Sequence, residues 1–393
     1  MTSSTTTRLA WPDVAKGISI LGVVLLHVTL AVPEAQNTWL AHFNVWLDPL
    51  RLPLFFLVSG YFSTKVLRFS FVELFTRRLW FFLVPYCIWA GIELWLKKIE
   101  YHWVFDTPLL QKEDLFHALF FGSTMAWFLH ALIAFNIFLW AVRKLPAWLA
   151  IALSFLPMLF MAWNAQFSFI SKAVMFLPIF IGAAYLKDFI TKYAQALAVP
   201  FHSRLNALSL WAYGGTFVAY ATGFILRRAW DKQGDEVLFP WLLPGADMLG
   251  HDDLNVLIRF AEQLLEVPLG VLLAVVISHL GGLSQALQFV GRHTLPIYLG
   301  HPIGMTLGVG FYLAWNPRAI SLAGDWPMDN TWFWLTACMV CSGLAGLVLW
   351  LIGKTPVLKW SLTPPPLAGR YRQFREWTSQ KSSKPQPAQS ERR

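Results

Sequence analysis

Two ionisable side chains, Lys16 and His27, stand in one membrane-length apolar run at residues 11–29. Their spacing is close to three whole turns of an α-helix, which places both on one face, roughly 16 Å apart along the axis. Ionisable groups inside a bilayer are costly and therefore indicate function. A histidine can take a proton from a hydroxyl group, and a lysine ammonium binds anions. The alternative for His27 is a hydrogen bond that joins two helices.

The composition is typical of a helical membrane protein. Of 393 residues, 56% are hydrophobic and 13% are charged, and the mean hydropathy is +0.50. Apolar runs of about 20 residues, the length of a transmembrane helix, recur between short polar loops. We therefore predict an all-α integral membrane protein with about ten transmembrane helices. The predicted spans are residues 12–32, 43–64, 79–97, 126–142, 147–163, 168–186, 208–226, 255–280, 293–315 and 331–353.

The distribution of charge predicts the orientation and the domain limits. Most of the 31 Lys and Arg residues fall in segments that share a side with both termini, so we predict cytoplasmic N- and C-termini. These segments and the tail account for the net charge of +9, and nucleic acid is not an expected partner. Residues 1–8 form a polar leader, residues 9–353 a transmembrane domain, and residues 354–393 a basic, Pro-rich cytoplasmic tail with the composition of a disordered segment.

The second predicted span, residues 43–64, runs back across the membrane and carries Arg51 at about the depth of His27. Pro49 and Pro53 flank this arginine and are expected to bend or break the helix. Such a break frees backbone groups that suit the wall of a cavity. Arg51 is therefore a candidate for stabilising an oxyanion or for holding a substrate.

Ser59, at the end of the same span, is expected near the depth of Lys16, although close packing of helices explains a small residue there equally well. The basic segment 65–78 follows it and contains Arg77 and Arg78. Anchoring of the cytoplasmic side explains such a segment by itself. A functional interpretation needs a cytoplasmic anion such as a nucleotide phosphate, which arginine binds well.

The sequence does not predict a metal site or a redox pair. Cys338 and Cys341 form a C-x-x-C, but they lie in a predicted membrane helix, where small residues are expected to pack. The loop His251–Asp253 has metal-ligand residue types without a partner at suitable spacing. We therefore expect no metal cofactor.

A series of motifs, taken in order, makes the sequence recognisable. These are D-x-x-K-G followed by His27, PLFFLVSGYF at 53–62, TRRLWFFLVPY at 76–86, AWFLHALI at 126–133 and GRHTLPIYLGHP at 291–302. The series resembles the membrane acyltransferase-3 family of O-acyltransferases over residues 9–353. At Lys16 the family more often has arginine; lysine keeps the charge but lacks the bidentate fork of a guanidinium.

The resemblance implies that an acyl group, usually acetyl from acetyl-CoA, moves from the cytoplasm to a hydroxyl group of an extracytoplasmic sugar. His27 would be the catalytic base, reached by the pantetheine arm of CoA from the cytoplasmic side. The residues expected to bind the donor are Lys16, Arg77, Arg78, Ser59 and His301. For His301, which matches the Tyr-Leu-x-His motif of the family, a structural hydrogen bond and a place in the donor tunnel are equally open.

Charged residues in the eighth predicted span extend the expected site. Glu262 and Glu266 are one helical turn apart on one face, close to Arg259. Two carboxyl groups in a span are costly unless they are paired or hydrated. They either neutralise Arg259, or they line the acceptor cavity, form hydrogen bonds with sugar hydroxyl groups, or orient His27. Asp48 and Trp127 complete the candidates for binding the acceptor, and the catalytic candidates are His27, Arg51 and Glu266.

Several alternatives stay open from the sequence. Direct transfer in a ternary complex is the simplest route, and an acyl-histidine intermediate is the alternative; Ser59 has no paired base and is not expected to be a nucleophile. The acyl group is acetyl or succinyl, and the acceptor a polysaccharide, peptidoglycan or a glycolipid such as a trehalose mycolate. A transporter or flippase for a lipid-linked or sugar substrate is the runner-up function, and a membrane protein without catalysis is a third.

The expected location is the plasma membrane of a bacterium. The expected partners are acyl-CoA, the extracytoplasmic sugar or glycolipid acceptor, and membrane lipids.

Overall fold

The computed structural model describes residues 9–159, 173–199, 206–233, 238–242, 247–316 and 327–367, and its regular structure is almost entirely helical. The helices are α1 Trp11–Ala31, α2 Trp39–Trp46, α3 Asp48–Tyr61, α4 Phe71–Phe105, α5 Lys112–Phe121, α6 Trp127–Ala141, α7 Ala147–Ser154, α8 Leu177–Tyr185, α9 Lys187–Leu197, α10 Ala207–Asp231, α11 His251–Ser278, α12 Gly281–Arg292, α13 Thr294–Met305 and α14 Thr331–Ile352.

Shorter elements connect or extend these helices. They are the single turns Ala35–Asn37, Thr64–Arg68, Leu156–Leu159, Pro327–Asp329 and Leu358–Ser361, and the segments Thr306–Gly310 and Phe311–Trp315, which continue α13. Two short antiparallel strands, β1 Phe239–Pro240 and β2 Met248–Leu249, pair Phe239 with Leu249 and Pro240 with Met248. In sequence they lie between α10 and α11.

The helical membrane class is confirmed. Five helical segments of the described chain are long and apolar enough to cross a membrane: Trp11–Ala31, Trp39–Arg68, Phe71–Phe105, His251–Ser278 and Thr331–Ile352. Trp127–Ala141 and Ala147–Leu159 are shorter apolar helices. The predicted spans 147–163 and 168–186 lie partly outside the described residues, and the total of ten spans and the cytoplasmic termini stay predictions.

Helix α1 lies at the centre of the bundle, where it packs against α3, α11, α12, α13 and α14. Val14, Ile20 and Val28, on different sides of the helix, are fully buried. A Cβ atom at Gly17 would overlap the backbone carbonyl group of Leu287 in α12. Because helices in lipid gain little from the hydrophobic effect, such close backbone contact at small residues is what holds them together.

The predicted second span is broken into α2 and α3. The break lies at Leu47, directly before Asp48-Pro49, and Pro53 lies inside α3. A proline has no backbone N–H to donate to the preceding turn, so a helix begins readily at Pro49 but cannot run through it undisturbed. The predicted break is therefore confirmed.

Helix α4 is longer than its predicted span of residues 79–97. It begins at Phe71 because Ser70 and Glu73 form a capping box: the Glu73 N–H donates to Ser70 Oγ over 3.3 Å, and the Ser70 N–H donates to Glu73 Oε2 over 3.1 Å. Two π-helical turns, Phe75–Leu79 and Tyr86–Ala90, interrupt it. Such turns rotate the face of a helix and are frequent at functional sites.

The start of the predicted tail packs on the bundle. Residues 354–367 include the turn Leu358–Ser361, and Leu362 is buried in the core. The Trp80 indole N–H donates to the carbonyl group of Pro365 over 3.1 Å. The rest of the predicted tail lies outside the described residues.

The contact between α1 and α12 can be tested at Gly291. A Cβ atom there would overlap the carbonyl oxygen of Asp13, so Gly291→Ala should push α12 away from α1 and destabilise the protein by about 1–3 kcal/mol. We expect a lower Tm of the detergent-solubilised protein. Gly282→Ala is the matched control, because a Cβ at Gly282 in the same helix meets nothing within 4 Å. Equal Tm values for the two variants would contradict the proposed contact.

Candidate active site

Lys16 lines a cavity of about 270 Å³ between α1, α3, α4, α6 and α13, here called the Lys16 cavity. Ser59 and Arg78 line it as well, and the rest of its wall is largely aromatic. Three residues predicted to bind the donor are therefore brought together, from three different helices. Arg78 reaches the cavity from the first π-helical turn of α4.

His27 lines a second cavity of about 240 Å³, the His27 cavity. Arg51 and Trp127 share this cavity with it. Asp48 and Arg259 stand at its edge. Trp127 is held in place by Phe176, whose ring centroid lies 6.3 Å from its own.

A third cavity, of about 570 Å³, lies between α2, α3, α10 and α11 and is called the Glu266 cavity. Its charged lining includes Glu262 and Glu266 together with Arg227 and Arg228. Trp46, Tyr220 and Phe224 add aromatic faces. This is the largest of the three cavities and the most polar in its lining.

The three cavities follow one another through the bundle. Phe128 and Tyr298 line both the Lys16 cavity and the His27 cavity. Asp48, Arg51 and Arg259 line both the His27 cavity and the Glu266 cavity. His27 therefore lies between a cavity lined by cations and a cavity lined by acids, arginines and aromatic rings.

His27 contacts His301 directly. The His27 Nδ1 and His301 Nε2 atoms are 2.7 Å apart, and the two rings are nearly parallel, with an interplanar angle of 13°. His301 in α13 is fully buried, and its Nδ1 atom lies 3.3 Å from the carbonyl oxygen of Ile297. Of the two roles left open for His301, the structure shows a hydrogen bond to the proposed base.

This chain of hydrogen bonds defines the tautomers. The carbonyl group of Ile297 can only accept, so the proton of a neutral His301 is on Nδ1 and its Nε2 accepts. His27 then donates from its own Nδ1, and its Nε2 carries the lone pair. Nε2 of His27 is therefore the nitrogen that can take a proton.

Tyr298 stabilises the wall between the Lys16 and His27 cavities. Its hydroxyl group donates to the carbonyl group of Met125 over 2.7 Å and accepts from the backbone N–H of Phe128 over 3.0 Å. The Met125 N–H in turn donates to Glu93 Oε2 over 3.3 Å. Tyr298 belongs to the Tyr-Leu-x-His motif, but no role was predicted for it. The start of α6, whose position it fixes, is far from Tyr298 in the sequence.

Arg51 is fixed by a network of acceptors. Its side chain donates to the backbone carbonyl of Asn44 over 2.6 Å, to Asn44 Oδ1 over 2.8 Å, and to Asp48. Arg259 lies 3.2 Å from the same carboxylate of Asp48. Asp48 is therefore the shared counter-ion of two arginines. This role is separate from the contact with the acceptor that was predicted for it. Asn44 is 2% exposed and carried no signal in the sequence.

Lys16 is paired with Asp13, one turn earlier on α1, at 2.9 Å. Arg292 of α12 lies 3.4 Å from the other oxygen of the same carboxylate. Asp13 thus orients Lys16 and links it to the motif GRHTLP. The sequence contained both partners within recognised motifs, but nothing in their spacing showed that they meet.

The two adjacent arginines differ in position. Arg78 donates to Ser63 Oγ over 2.7 Å and to Asn136 Oδ1 over 3.3 Å, both neutral acceptors. Arg77 is exposed and forms an ion pair with Glu73 at 3.2 Å. Both arginines were predicted to bind the donor. The structure brings Arg78 to the Lys16 cavity and leaves Arg77 at the surface.

Glu262 and Glu266 line the Glu266 cavity and not the cavity of His27. Among the described residues neither glutamate forms an ion pair, and Arg259 pairs with Asp48 instead. Glu266 is only 5% exposed. The hydrogen bond that orients the His27 ring comes from His301.

Other histidines and cysteines have structural environments. His130 Nε2 lies 3.0 Å from the carbonyl oxygen of Phe120. His251 stacks on Trp230 with ring centroids 4.5 Å apart. Cys341 packs where α14 meets Gly308, as the packing interpretation predicts.

The tautomer of His27 can be tested by NMR of the protein with ¹⁵N-labelled histidine, with the signal identified by its loss in His27→Gln. We expect Nδ1 protonated and Nε2 unprotonated, because Nδ1 donates to His301. His301→Leu removes the acceptor and should mix the two tautomers, whereas His301→Gln keeps an acceptor oxygen and should preserve the pattern. A wild-type His27 protonated on Nε2 alone would disprove the assignment.

Comparison with known proteins identifies the family. The family model described as "Acyltransferase domain" matches residues 9–352, nearly all of the described chain. No curated protein and no solved structure matches. The match confirms the resemblance that the motifs indicated: the chain belongs to the acyltransferase-3 family of membrane acyltransferases.

Proposed function

We propose that the protein is a membrane O-acyltransferase that moves an acyl group, most simply acetyl, from cytoplasmic acyl-CoA to a hydroxyl group of an extracytoplasmic glycan or glycolipid. The observation that carries the proposal is the position of the hydrogen-bonded pair His27–His301 between two cavities of different lining. The family match favours an enzyme over the transporter considered from the sequence.

The proposed topology follows the orientation of the basic residues. It has about ten spans in a bacterial plasma membrane, with both termini cytoplasmic. The Lys16 cavity then faces the cytoplasm and the Glu266 cavity the outside. A substrate from each side reaches His27 without either one crossing the membrane.

The donor is proposed to bind from the Lys16 cavity. Arg78 supports this because its described partners are neutral, so its charge is available for a phosphate group. Lys16 shares its charge with Asp13 and adds a second cation. The aromatic wall suits the less polar pantetheine arm, which would extend past Phe128 towards His27.

The acceptor is proposed to bind from the Glu266 cavity. Glu262 and Glu266 can accept hydrogen bonds from hydroxyl groups, and Trp46 and Tyr220 offer flat apolar faces. Positive and negative side chains are both present in the lining, which favours a neutral polyhydroxylated group over a strongly charged one. A sugar ring is polyhydroxylated and also has an apolar face that can pack on an aromatic ring.

The chemistry that the site supports is general base catalysis. His27 Nε2 takes the proton of the acceptor hydroxyl group while the hydroxyl oxygen forms a bond to the thioester carbonyl carbon. The tetrahedral intermediate then breaks its bond to sulfur, and the imidazolium returns the proton to the CoA thiolate. Arg51, held by Asn44 and Asp48, keeps N–H groups that can donate to the oxyanion. An acyl-histidine is the alternative route.

The role of His27 is tested by transfer of labelled acetyl from acetyl-CoA, with purified protein in proteoliposomes and a panel of glycan and glycolipid acceptors. His27→Ala should lower the rate about 10²- to 10⁴-fold, the usual contribution of a general base. His42→Ala is the control, because His42 is an exposed histidine of α2 whose Nδ1 lies 2.8 Å from the Thr38 carbonyl oxygen. Full activity of His27→Ala would exclude the base role.

The donor site is tested by the KM for acetyl-CoA. Lys16→Ala should raise this KM about tenfold, equivalent to about 1.4 kcal/mol, with little change in the KM for the acceptor. Arg77→Ala, a surface change in the same basic segment, should leave both values unchanged. An effect of Lys16→Ala on the acceptor alone would refute the assignment of the two sides.

A further inference from the structure

A groove separate from the three cavities lies on the face formed by α9, α10 and α11. It has a volume of about 450 Å³ and is here called the Trp211 groove. Its lining includes Leu57, Tyr193, Trp211, Gly215, Val267 and Val271, and no lining residue is shared with the Lys16, His27 or Glu266 cavity. The groove is therefore not part of the proposed acyl-transfer path.

The interior of the groove selects an apolar ligand. Its two hydroxyl groups bond each other, because Thr216 donates to the carbonyl group of Ala212 over 2.6 Å and accepts from Tyr193. Neither hydroxyl has a proton left to donate to a ligand, and a polar group placed among the remaining aliphatic and aromatic side chains would lose most of its hydrogen bonds to water. An alkyl chain has no such cost.

The groove is open because α10 has a glycine there. A Cβ atom at Gly215 would meet nothing within 4 Å, so the space beside it is not filled by the protein. A glycine inside a helix is destabilising relative to alanine. Helix α10 thus has a destabilising residue at a position where a longer side chain would fill the groove.

The edge of the groove has the features of a membrane interface. Lys192 of α9 lines it and is exposed, and among the described residues it forms no ion pair. Trp211 and Phe189 are 77% and 66% exposed, and aromatic rings of this kind concentrate at the level of lipid headgroups. A ligand with an alkyl chain and an anionic headgroup matches the apolar interior of the groove and the basic residue at its edge.

We propose that the Trp211 groove binds an anionic phospholipid, with one acyl chain in the groove and its phosphate next to Lys192. An α-helix of a second copy fits poorly, because a cylinder about 10 Å across fills this volume with about one turn. The lipid stays bound to the folded protein, and its binding does not depend on the acyl-transfer reaction.

The test is native mass spectrometry of the full chain released from nanodiscs of equal parts phosphatidylglycerol and phosphatidylcholine. The wild-type protein should retain one phosphatidylglycerol per chain. Gly215→Leu fills the groove and should lose this lipid. Gly214→Leu is the matched control: a Cβ at this neighbouring glycine also meets nothing within 4 Å, but Gly214 does not line the groove.

Lys192→Gln tests the headgroup. A basic residue near a membrane surface contributes about 1 kcal/mol to the binding of anionic lipid, so the preference for phosphatidylglycerol should fall about fivefold. The Tm of each variant checks that it is folded. Equal lipid retention by the Gly215 and Gly214 variants, an unchanged preference in Lys192→Gln, or a protein dimer in place of the lipid adduct would each overturn the proposal.

Discussion

The hydrogen bond between His27 and His301 joins two residues that are 274 positions apart in the chain. In a bilayer neither imidazole can rely on water, so each needs a partner from another helix. The same constraint explains the pairing of Asp13 with Lys16 and Arg292. These two groups of ionisable residues therefore connect helices at the same time as they form part of the candidate site.

The glycines make these connections possible. A Cβ at Gly22 would come within 2.8 Å of the Arg51 side chain, and a Cβ at Gly60 would overlap the carbonyl group of Phe180. A larger residue at either place would push against α3, the helix that carries Arg51. Small residues in α1 and α3 thus determine the geometry of polar groups that lie several residues away.

The order of the cavities separates two kinds of substrate chemistry. Cations and aromatic rings surround the Lys16 cavity, whereas glutamates and arginines surround the Glu266 cavity. Between the Lys16 and His27 cavities stand Phe128 and Tyr298, held by hydrogen bonds at the start of α6. These two rings line both cavities, so they stand between the cations of the Lys16 cavity and the ring of His27.

The membrane class, helix α1 with Lys16 and His27 on one face, the break before Pro49 and the family could all be predicted from the sequence. Each of these depends on local information: apolar length, helical period, the missing N–H of proline, or the order of motifs. The folded structure was needed to show that His301 contacts His27, that Arg78 rather than Arg77 joins Lys16, and that Glu266 lies in a different cavity. Those outcomes depend on how helices from distant parts of the chain are rotated against each other, and in α4 the rotation is changed by π-helical turns. A pattern read along one helix carries no information about the rotation of its neighbour.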